Sequence, residues 1–271
     1  MNLDINGIII GDKKPFVLIA GPCVVESEEL TIGIAKTVKE ITARLNIPYI
    51  FKASYRKANR TSAASFTGIG DDNALNILSR IKRELNLPVL TDVHSPEEAK
   101  TAADFVDILQ IPAFLCRQTE LLVAAGSTGK VVNIKKGQFL APEDMSHAAA
   151  KVESTGNKKM LLTERGTTFG YHNLVVDMRS LVIMKELGYP VVMDATHSVQ
   201  LPSKDNTSGG QPKFIKPLAR AAAAVGIDAL FLEVHPDPSK ALSDASSQLK
   251  LSELEDLLKE ISLIDRAVKN Y

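Results

Sequence analysis

Tyr49-Ile50-Phe51-Lys52-Ala53-Ser54-Tyr55-Arg56-Lys57 opens as a short apolar run and closes in cations. Amphipathic stretches flank it, Glu28 to Leu45 before and Asp72 to Leu85 after, with apolar residues at helical spacing and Ser, Asp or Pro near their starts. A strand held between two helices and buried on both faces is the reading this pattern supports. The unit recurs along the chain. Strands are expected at Phe16 to Ala20, Tyr49 to Ala53, Val89 to Asp92, Asp107 to Ile111, Val131 to Ile134, Met160 to Thr163, Val191 to Asp194 and Ala229 to Glu233. Eight such units in 271 residues predict an α/β fold, a (β/α)8 TIM barrel, whose usual length is about 250 residues. No Ser/Gly/Pro-rich linker or shift in composition divides the chain, so residues 1–271 are expected to form one catalytic domain. Ahead of the first unit, Leu3 to Ile5 and Ile8 to Ile10 flank Asn6-Gly7, which predicts a hairpin closing the barrel floor.

In a parallel barrel the C-terminal strand ends meet on one face. Here those ends read Cys23, Lys52, Asp92, Gln110, Lys135, Arg165, His197 and Glu233, the layout of an active site. The global balance is neutral, with 32 basic and 32 acidic residues, which argues against nucleic acid or an anionic membrane as partner. The first residues, Met1-Asn2-Leu3-Asp4, lack the regions of a signal peptide, and no apolar run nears the ~20 residues of a membrane helix, so a cytoplasmic protein is expected. In that compartment Cys23 and Cys116 are expected to stay unpaired, with Cys116 packing in the apolar run Ala113-Phe114-Leu115. The longest polar connection, Gln200 to Lys213, follows the seventh strand and contains Gly209-Gly210. It is a lid candidate, with a plain surface loop as the alternative.

Cations concentrate at this face. Lys52, Arg56, Lys57 and Arg60 follow the second strand, and Arg117, Lys135, Lys136 and Arg165 follow the fourth to sixth. Strand parity sends Lys52 and Ser54 to one face, and likewise Asn133 and Lys135. Gathering like charges is costly unless anions neutralise them, so the set points to phosphates and carboxylates. No Walker or Gly-x-Gly-x-x-Gly motif marks a nucleotide as the anion. A second group comprises Cys23, His197 and Glu233, from strands one, seven and eight, and Asp244 on the following loop. Those strands are neighbours once the barrel closes. A thiolate, an imidazole and two carboxylates suit a borderline divalent ion such as Zn, Fe or Mn rather than Mg. Taken singly, Cys23 reads equally as a small buried hydrophobe and His197 as a hydrogen-bonded pocket histidine.

Several longer motifs stand in order: Gly21-Pro22-Cys23-Val24-Val25-Glu26-Ser27, Phe51-Lys52-Ala53-Ser54, Lys57-Ala58-Asn59-Arg60 and Gln110-Ile111-Pro112-Ala113-Phe114-Leu115-Cys116-Arg117-Gln118. With Asn133-Ile134-Lys135-Lys136-Gly137-Gln138, Glu164-Arg165-Gly166-Thr167-Thr168-Phe169-Gly170-Tyr171 and His235-Pro236-Asp237-Pro238, the chain resembles the 3-deoxy-D-manno-octulosonate 8-phosphate synthase family from about residue 15 onward. The resemblance implies condensation of phosphoenolpyruvate with arabinose 5-phosphate on a (β/α)8 barrel, in the service of lipopolysaccharide biosynthesis, by a homotetramer with active sites near a subunit interface. Cys23 and the Ser243-Asp244-Ala245-Ser246 stretch resemble the metal-requiring branch, which implies a divalent metal (Zn, Fe, Mn or Co) on Cys23, His197, Glu233 and Asp244. Lys57, Lys135 and Arg165 would hold phosphoenolpyruvate, with Lys52, Ser54, Gln110, Ala113, Arg117 and Gln138 nearby. Asn59, Arg60 and Thr61 would grip the sugar phosphate, reaching in from a neighbouring subunit. His197 and Asp244 would also serve the chemistry.

The chain departs from the family at Tyr55-Arg56, where many members have Phe-Asp, and at Thr61, where serine is common. Ala63-Ala64-Ser65-Phe66-Thr67-Gly68 lacks a His and an Arg often found there. These changes bear on the choice of aldose. One competing reading is a 3-deoxy-D-arabino-heptulosonate 7-phosphate synthase using erythrose 4-phosphate, whose relatives usually carry Lys-Pro-Arg in place of Lys57-Ala58-Asn59-Arg60. Others are a Schiff-base aldolase with Lys52 or Lys135 as nucleophile, and a non-catalytic sugar-phosphate-binding barrel.

Overall fold

The computed structural model describes residues 2–58, 65–201 and 209–271. Its centre is a closed parallel sheet of β1 (Val17–Gly21), β2 (Tyr49–Lys52), β3 (Val89–Asp92), β4 (Ile108–Ile111), β5 (Val131–Lys135), β6 (Met160–Glu164), β7 (Val191–Asp194) and β8 (Ala229–His235). Neighbours pair in sequence order. Closure comes from β8, which sets Ala229 beside Val17 of β1 on one side and beside Val192 of β7 on the other. Outside run α1 (Glu28–Leu45), α2 (Asp71–Leu85), α3 (Pro96–Ala103), α4 (Thr119–Ser127), α5 (Met145–Glu153), α6 (Arg179–Glu186), α7 (Ile215–Val225) and α8 (Leu254–Lys269). This is the (β/α)8 barrel that the alternation of elements predicts.

Local chemistry explains the boundaries. Ser27 opens α1, its Oγ accepting the Leu30 N–H at 3.2 Å, and Asn46 closes the helix in the left-handed conformation. Within α1, Ile34, Ala35, Val38, Ile41 and Thr42 are buried, a stripe at the 3.6-residue period. The strand β1 begins one residue later than predicted because the Phe16 N–H goes to Asp265 Oδ2, at 2.9 Å. The strand β4 begins after Asp107, whose carboxylate accepts from Asn6 Nδ2 and the Val89 N–H while its backbone still bonds to Val89 and Val131.

Two cores follow from strand parity. Leu18, Ala20, Phe51 and Leu109 face the helices, whereas Val17, Ile19, Ile50, Leu90, Ile108, Val131, Leu161, Val192, Ala229 and Phe231 fill the barrel. Leu3, Ile5 and Ile10 of the N-terminal hairpin join the interior cluster from below. The hairpin turns at Asn6 and Gly7, both at positive φ (52° and 88°), as a two-residue turn of this type requires. Burying an aliphatic side chain contributes ~1.5–3 kcal/mol, so the hairpin is a stabilising plug. With the lower barrel filled by apolar groups, the inward positions nearer the strand C-termini are left for chemistry. Among the described residues no helix is long and apolar enough to cross a membrane, and both Cys23 and Cys116 are free and buried.

Candidate active site

Continuing each inward parity toward the mouth gives Lys52 and Ser54, Asp92, Gln110, Asn133 and Lys135, Thr163 and Arg165, Asp194, Glu233 and, beyond β1, Cys23. All are at least nine-tenths buried. They form a belt around the barrel. Thr163 Oγ1 donates to Asn133 Oδ1 at 2.6 Å, Asn133 Nδ2 to Gln110 Oε1 at 2.8 Å, and Gln110 Nε2 to Asp92 Oδ1 at 2.6 Å. A carboxylate only accepts, so Asp92 fixes the orientation of both amides. Ser54 Oγ also donates to Asp92, and Lys52 Nζ stands 3.9 Å from it. Burial opposes the charge of Asp92, yet Lys52, Lys135 and Lys57 outweigh it and hold the carboxyl well below its usual range.

Cations and acids alternate across the belt. Lys52 Nζ donates to Glu233 Oε1 at 2.6 Å and to the Cys23 carbonyl at 2.9 Å. Burial works against the Lys52 ammonium, but Glu233 and Asp92 more than restore it, leaving the pKa raised. Lys135 Nζ donates to Asp194 Oδ2 at 2.7 Å, and His197 Nδ1 meets the same oxygen at 2.6 Å. That contact puts a His197 proton on Nδ1, so that in the neutral ring Nε2 carries the lone pair; Nε2 stands 3.5 Å from Glu233 Oε1. Asp194 Oδ1 accepts from the Thr196 and His197 N–H groups, and despite its burial His197 and Lys135 hold the acid far below its ordinary range. Arg165 differs from the lysines. Among the described residues it has no carboxylate within ion-pair distance, donates through Nη2 to Gln200 Oε1 at 2.8 Å, and leaves Nη1 buried without a partner. Burial lowers its pKa, the acids around it only partly compensating.

Where β8 meets β1, a Cys23, Glu233 and Asp244 group has ligand atoms all within 4.8 Å of one another. Cys23 Sγ lies 3.2 Å from Asp244 Oδ2 and 3.2 Å from Ser243 Oγ, while Glu233 Oε2 is buried with no hydrogen-bond partner. Burial pushes the Cys23 thiol up, and Asp244 and Glu233 push it further. Lys57 Nζ reaches into this group, 3.2 Å from Cys23 Sγ and 3.4 Å from Asp244 Oδ2. Its burial is outweighed by Cys23, Asp244 and Glu233, so the ammonium is strongly favoured. His197 stands just outside the group, touching it through Glu233.

The other residues singled out from the sequence fall in different places. Ala113 begins a single 3-10 turn after β4 and is buried; Gln138 is buried with Oε1 unpartnered. Arg117 is exposed and does not join the belt. Asn59, Arg60 and Thr61 lie outside the described residues, as does 202–208 of the lid candidate. The ends of that loop form a two-residue antiparallel pairing, Gln200–Leu201 with Gly209–Gly210. Lys136, grouped above with the mouth cations, faces outward because it alternates with Lys135; fully buried, it donates to Thr167 Oγ1 at 2.9 Å and pairs with Glu164 Oε2 at 3.6 Å. Tyr55 is buried in the helix-facing core and Arg56 pairs with Asp71 and Glu98, so both turn away from the mouth. Thr163 and Asp194 are belt positions that the sequence reading does not single out, whereas Asp92 and Asn133 appear there only as a strand end and as a same-face neighbour of Lys135. Counting in twos from Lys52 and Lys135 along each strand finds the inward partners, and Asp194 precedes His197 by three residues.

A (β/α)8 barrel whose mouth carries three lysines each against a carboxylate, one arginine with a buried nitrogen that meets no protein partner, and a soft-donor cluster has the layout of an enzyme active site suited to anionic substrates. The family model described as the DAHP synthetase I family matches residues 1–270, and the chain belongs to that family. The 2-dehydro-3-deoxyphosphooctonate aldolases of Syntrophotalea carbinolica and Geotalea uraniireducens are each 55% identical to it over 268 residues, 98% of this chain and 97% and 98% of theirs. The protein of the same name from Acidithiobacillus ferrooxidans (strain ATCC 23270) is 54% identical over 265 residues, 97% of this chain and 94% of its own.

Proposed function

We propose that this enzyme condenses phosphoenolpyruvate with arabinose 5-phosphate and water to give 3-deoxy-D-manno-octulosonate 8-phosphate and phosphate. The observation that carries the reading is the Lys135–Arg165 side of the mouth facing Cys23, Glu233 and Asp244, in a chain 55% identical over 98% of its length to proteins named for that eight-carbon product. Eight carbons are the sum of a three-carbon enol phosphate and a five-carbon aldose. The family's name alone does not favour the heptulosonate synthase.

In the reaction, C3 of phosphoenolpyruvate forms a bond to the aldehyde carbon, water adds at C2, and phosphate leaves C2. Two phosphorylated substrates repel each other, and fixed cations offset that repulsion without reorganising. Arg165, with a free Nη1, and Lys135, oriented by Asp194, are the groups we assign to the phosphate and carboxylate of phosphoenolpyruvate. Lys52 is assigned to the charge developing between the two reactants, held by Glu233 and backed by Asp92. A thiol, an imidazole Nε2 and two carboxylates, one with an orphan oxygen, fit a divalent ion of the Zn, Fe, Mn or Co kind on Cys23, His197, Glu233 and Asp244. Such an ion supplies Lewis-acid chemistry, polarising the aldehyde oxygen or activating a water. The Schiff-base alternative is disfavoured at Lys52, since Glu233 at 2.6 Å stabilises the ammonium rather than the nucleophilic amine. A homotetramer belongs to the same reading, supported by Phe114, Phe139 and Phe169, all more than half exposed on loops after β4, β5 and β6.

Phosphate release tests the proposal. With both substrates present, one phosphate should appear per 3-deoxy-sugar product, and omission of either substrate should stop both. Phosphate release without product, or a borohydride-trapped lysine adduct, would overturn it.

A further inference from the structure

Glu26 takes no part in the site as described, yet it touches three of the segments that carry it. Its side chain is only 7% exposed. It lies three residues past Cys23 on the loop from β1 to α1. Its Oε1 accepts the Leu242 N–H at 3.0 Å, two residues before Asp244. Its Oε2 faces His235 Nε2 at 3.9 Å, two residues beyond Glu233 on β8. The His235 ring is oriented by its other nitrogen, where Nδ1 accepts the Asp237 N–H at 3.0 Å; the proton is therefore on Nε2, buried and without a hydrogen-bond partner.

The loop that carries Asp244 has little regular structure to hold it. Asp244 itself is in the left-handed region, φ 49°, an uncommon conformation for a residue other than glycine. Behind it the loop is secured, since Gln248 Nε2 donates to the Ser243 carbonyl at 2.7 Å and Leu249 pairs with Val234 of β8. In front of it, the bond from Leu242 to Glu26 ties the loop to the segment bearing Cys23.

We propose that Glu26 is a positioning residue: one carboxylate that fixes the Asp244 loop against the Cys23 and Glu233 segments, so that the three ligand atoms converge before any ion arrives. The inference rests on the metal site assigned above. It differs from a general structural role because its effect is routed through Asp244. Removing Glu26 should weaken metal binding only while Asp244 is there to be misplaced.

Two measurements on the full-length protein separate these cases. Hydrogen exchange in the metal-free protein reads the hold directly, and Glu26→Ala should speed exchange of the amides of residues 242–248 roughly tenfold or more, the loss of a hydrogen bond to a charged group. Cobalt titration, followed by the thiolate-to-metal absorption of Cys23, reads the consequence. Glu26→Ala should weaken Co²⁺ binding roughly tenfold or more, and Asp244→Ala comparably, with the double variant no worse than Asp244→Ala alone. Glu26→Gln, which keeps an acceptor for Leu242 but presents an amide to His235, should recover much of the affinity. Unchanged exchange at 242–248 in Glu26→Ala refutes the proposal, and so does an equal loss of affinity with and without Asp244. If wild-type protein shows no thiolate absorption with Co²⁺, the metal assignment fails instead, while the exchange measurement still decides whether Glu26 holds the loop.

Discussion

Asp194→Asn probes the geometry of the mouth most searchingly, because it changes one atom at a crossing point. Asp194 Oδ2 receives both Lys135 Nζ, at 2.7 Å, and His197 Nδ1, at 2.6 Å, while Oδ1 receives the Thr196 and His197 backbone N–H groups. An asparagine offers one acceptor and one donor. Turned one way, its amide hydrogens point at Lys135 and the His197 Nδ1 proton; turned the other, they point at two backbone donors. Neither orientation is satisfied, and the first drives the His197 proton to Nε2, where it blocks the lone pair facing Glu233. Loss of an outer partner of this kind typically costs 10–100-fold in activity or metal affinity, so kcat/KM should fall by roughly that factor. Asp194 is fully buried, and breaking its pair with Lys135 should cost about 3 kcal/mol of stability, or about 6–12 °C in melting midpoint for a chain of this size. Phosphate-release kinetics and thermal melting on the same preparation measure both. A variant with wild-type kcat/KM and a wild-type midpoint would refute the claim that Asp194 sets Lys135 and the His197 tautomer.

Arg165→Ala should raise KM for phosphoenolpyruvate roughly tenfold or more, the ~1.5–3 kcal/mol of a charge-assisted contact, with little loss of stability because its Nη1 has no protein partner to abandon; steady-state kinetics and melting check both parts. Exhaustive chelation should abolish turnover and a divalent ion such as Mn²⁺, Zn²⁺ or Co²⁺ should restore it, and full activity in protein shown by elemental analysis to be metal-free would contradict the assignment of Cys23, His197, Glu233 and Asp244. For pH, Asp92 has a folded pKa below its unfolded value, so the unfolded state binds the extra proton and stability rises with pH across the window between the two. The contribution is complete above the ordinary carboxylate value of ~3.9 and is lost as pH falls below it; Asp92→Asn should flatten this acid limb in urea unfolding measured below about pH 5.

How much of this was legible in the sequence depended on the range of the physics involved. Strand and helix periodicity is local, and it placed all eight barrel strands within a residue or two; the misses are mostly at C-terminal ends, where β1, β5, β6 and β8 run one or two residues further than expected, and at Phe16, whose N–H goes to the distant Asp265. The parity argument for Lys52, Ser54 and Lys135 is also local, and it agrees with the inward belt. Lys136 shows the cost of reading cations by proximity in sequence, since one step along the strand sends it outward to Glu164. Asp194 is passed over because His197, three residues past the seventh strand's end, reads as that strand's contribution to the mouth, whereas the inward-facing strand end is Asp194 itself and a 3-10 turn carries His197. Arg56 illustrates the other limit: its pairing with Asp71 and Glu98 depends on how α2 and α3 pack, which no local pattern encodes.

The central claim is that the acceptor is a five-carbon sugar phosphate, and a direct comparison of acceptors tests it. Arabinose 5-phosphate and erythrose 4-phosphate share a terminal phosphate, so they differ in where the aldehyde falls once that phosphate is held. One carbon shifts it by ~1.3–1.5 Å, and misplacement on that scale can cost on the order of 10²-fold in rate. With phosphoenolpyruvate saturating, kcat/KM from phosphate release should be higher for arabinose 5-phosphate by about that factor, whereas a preference for erythrose 4-phosphate would contradict the assignment and make the heptulosonate synthase the better reading.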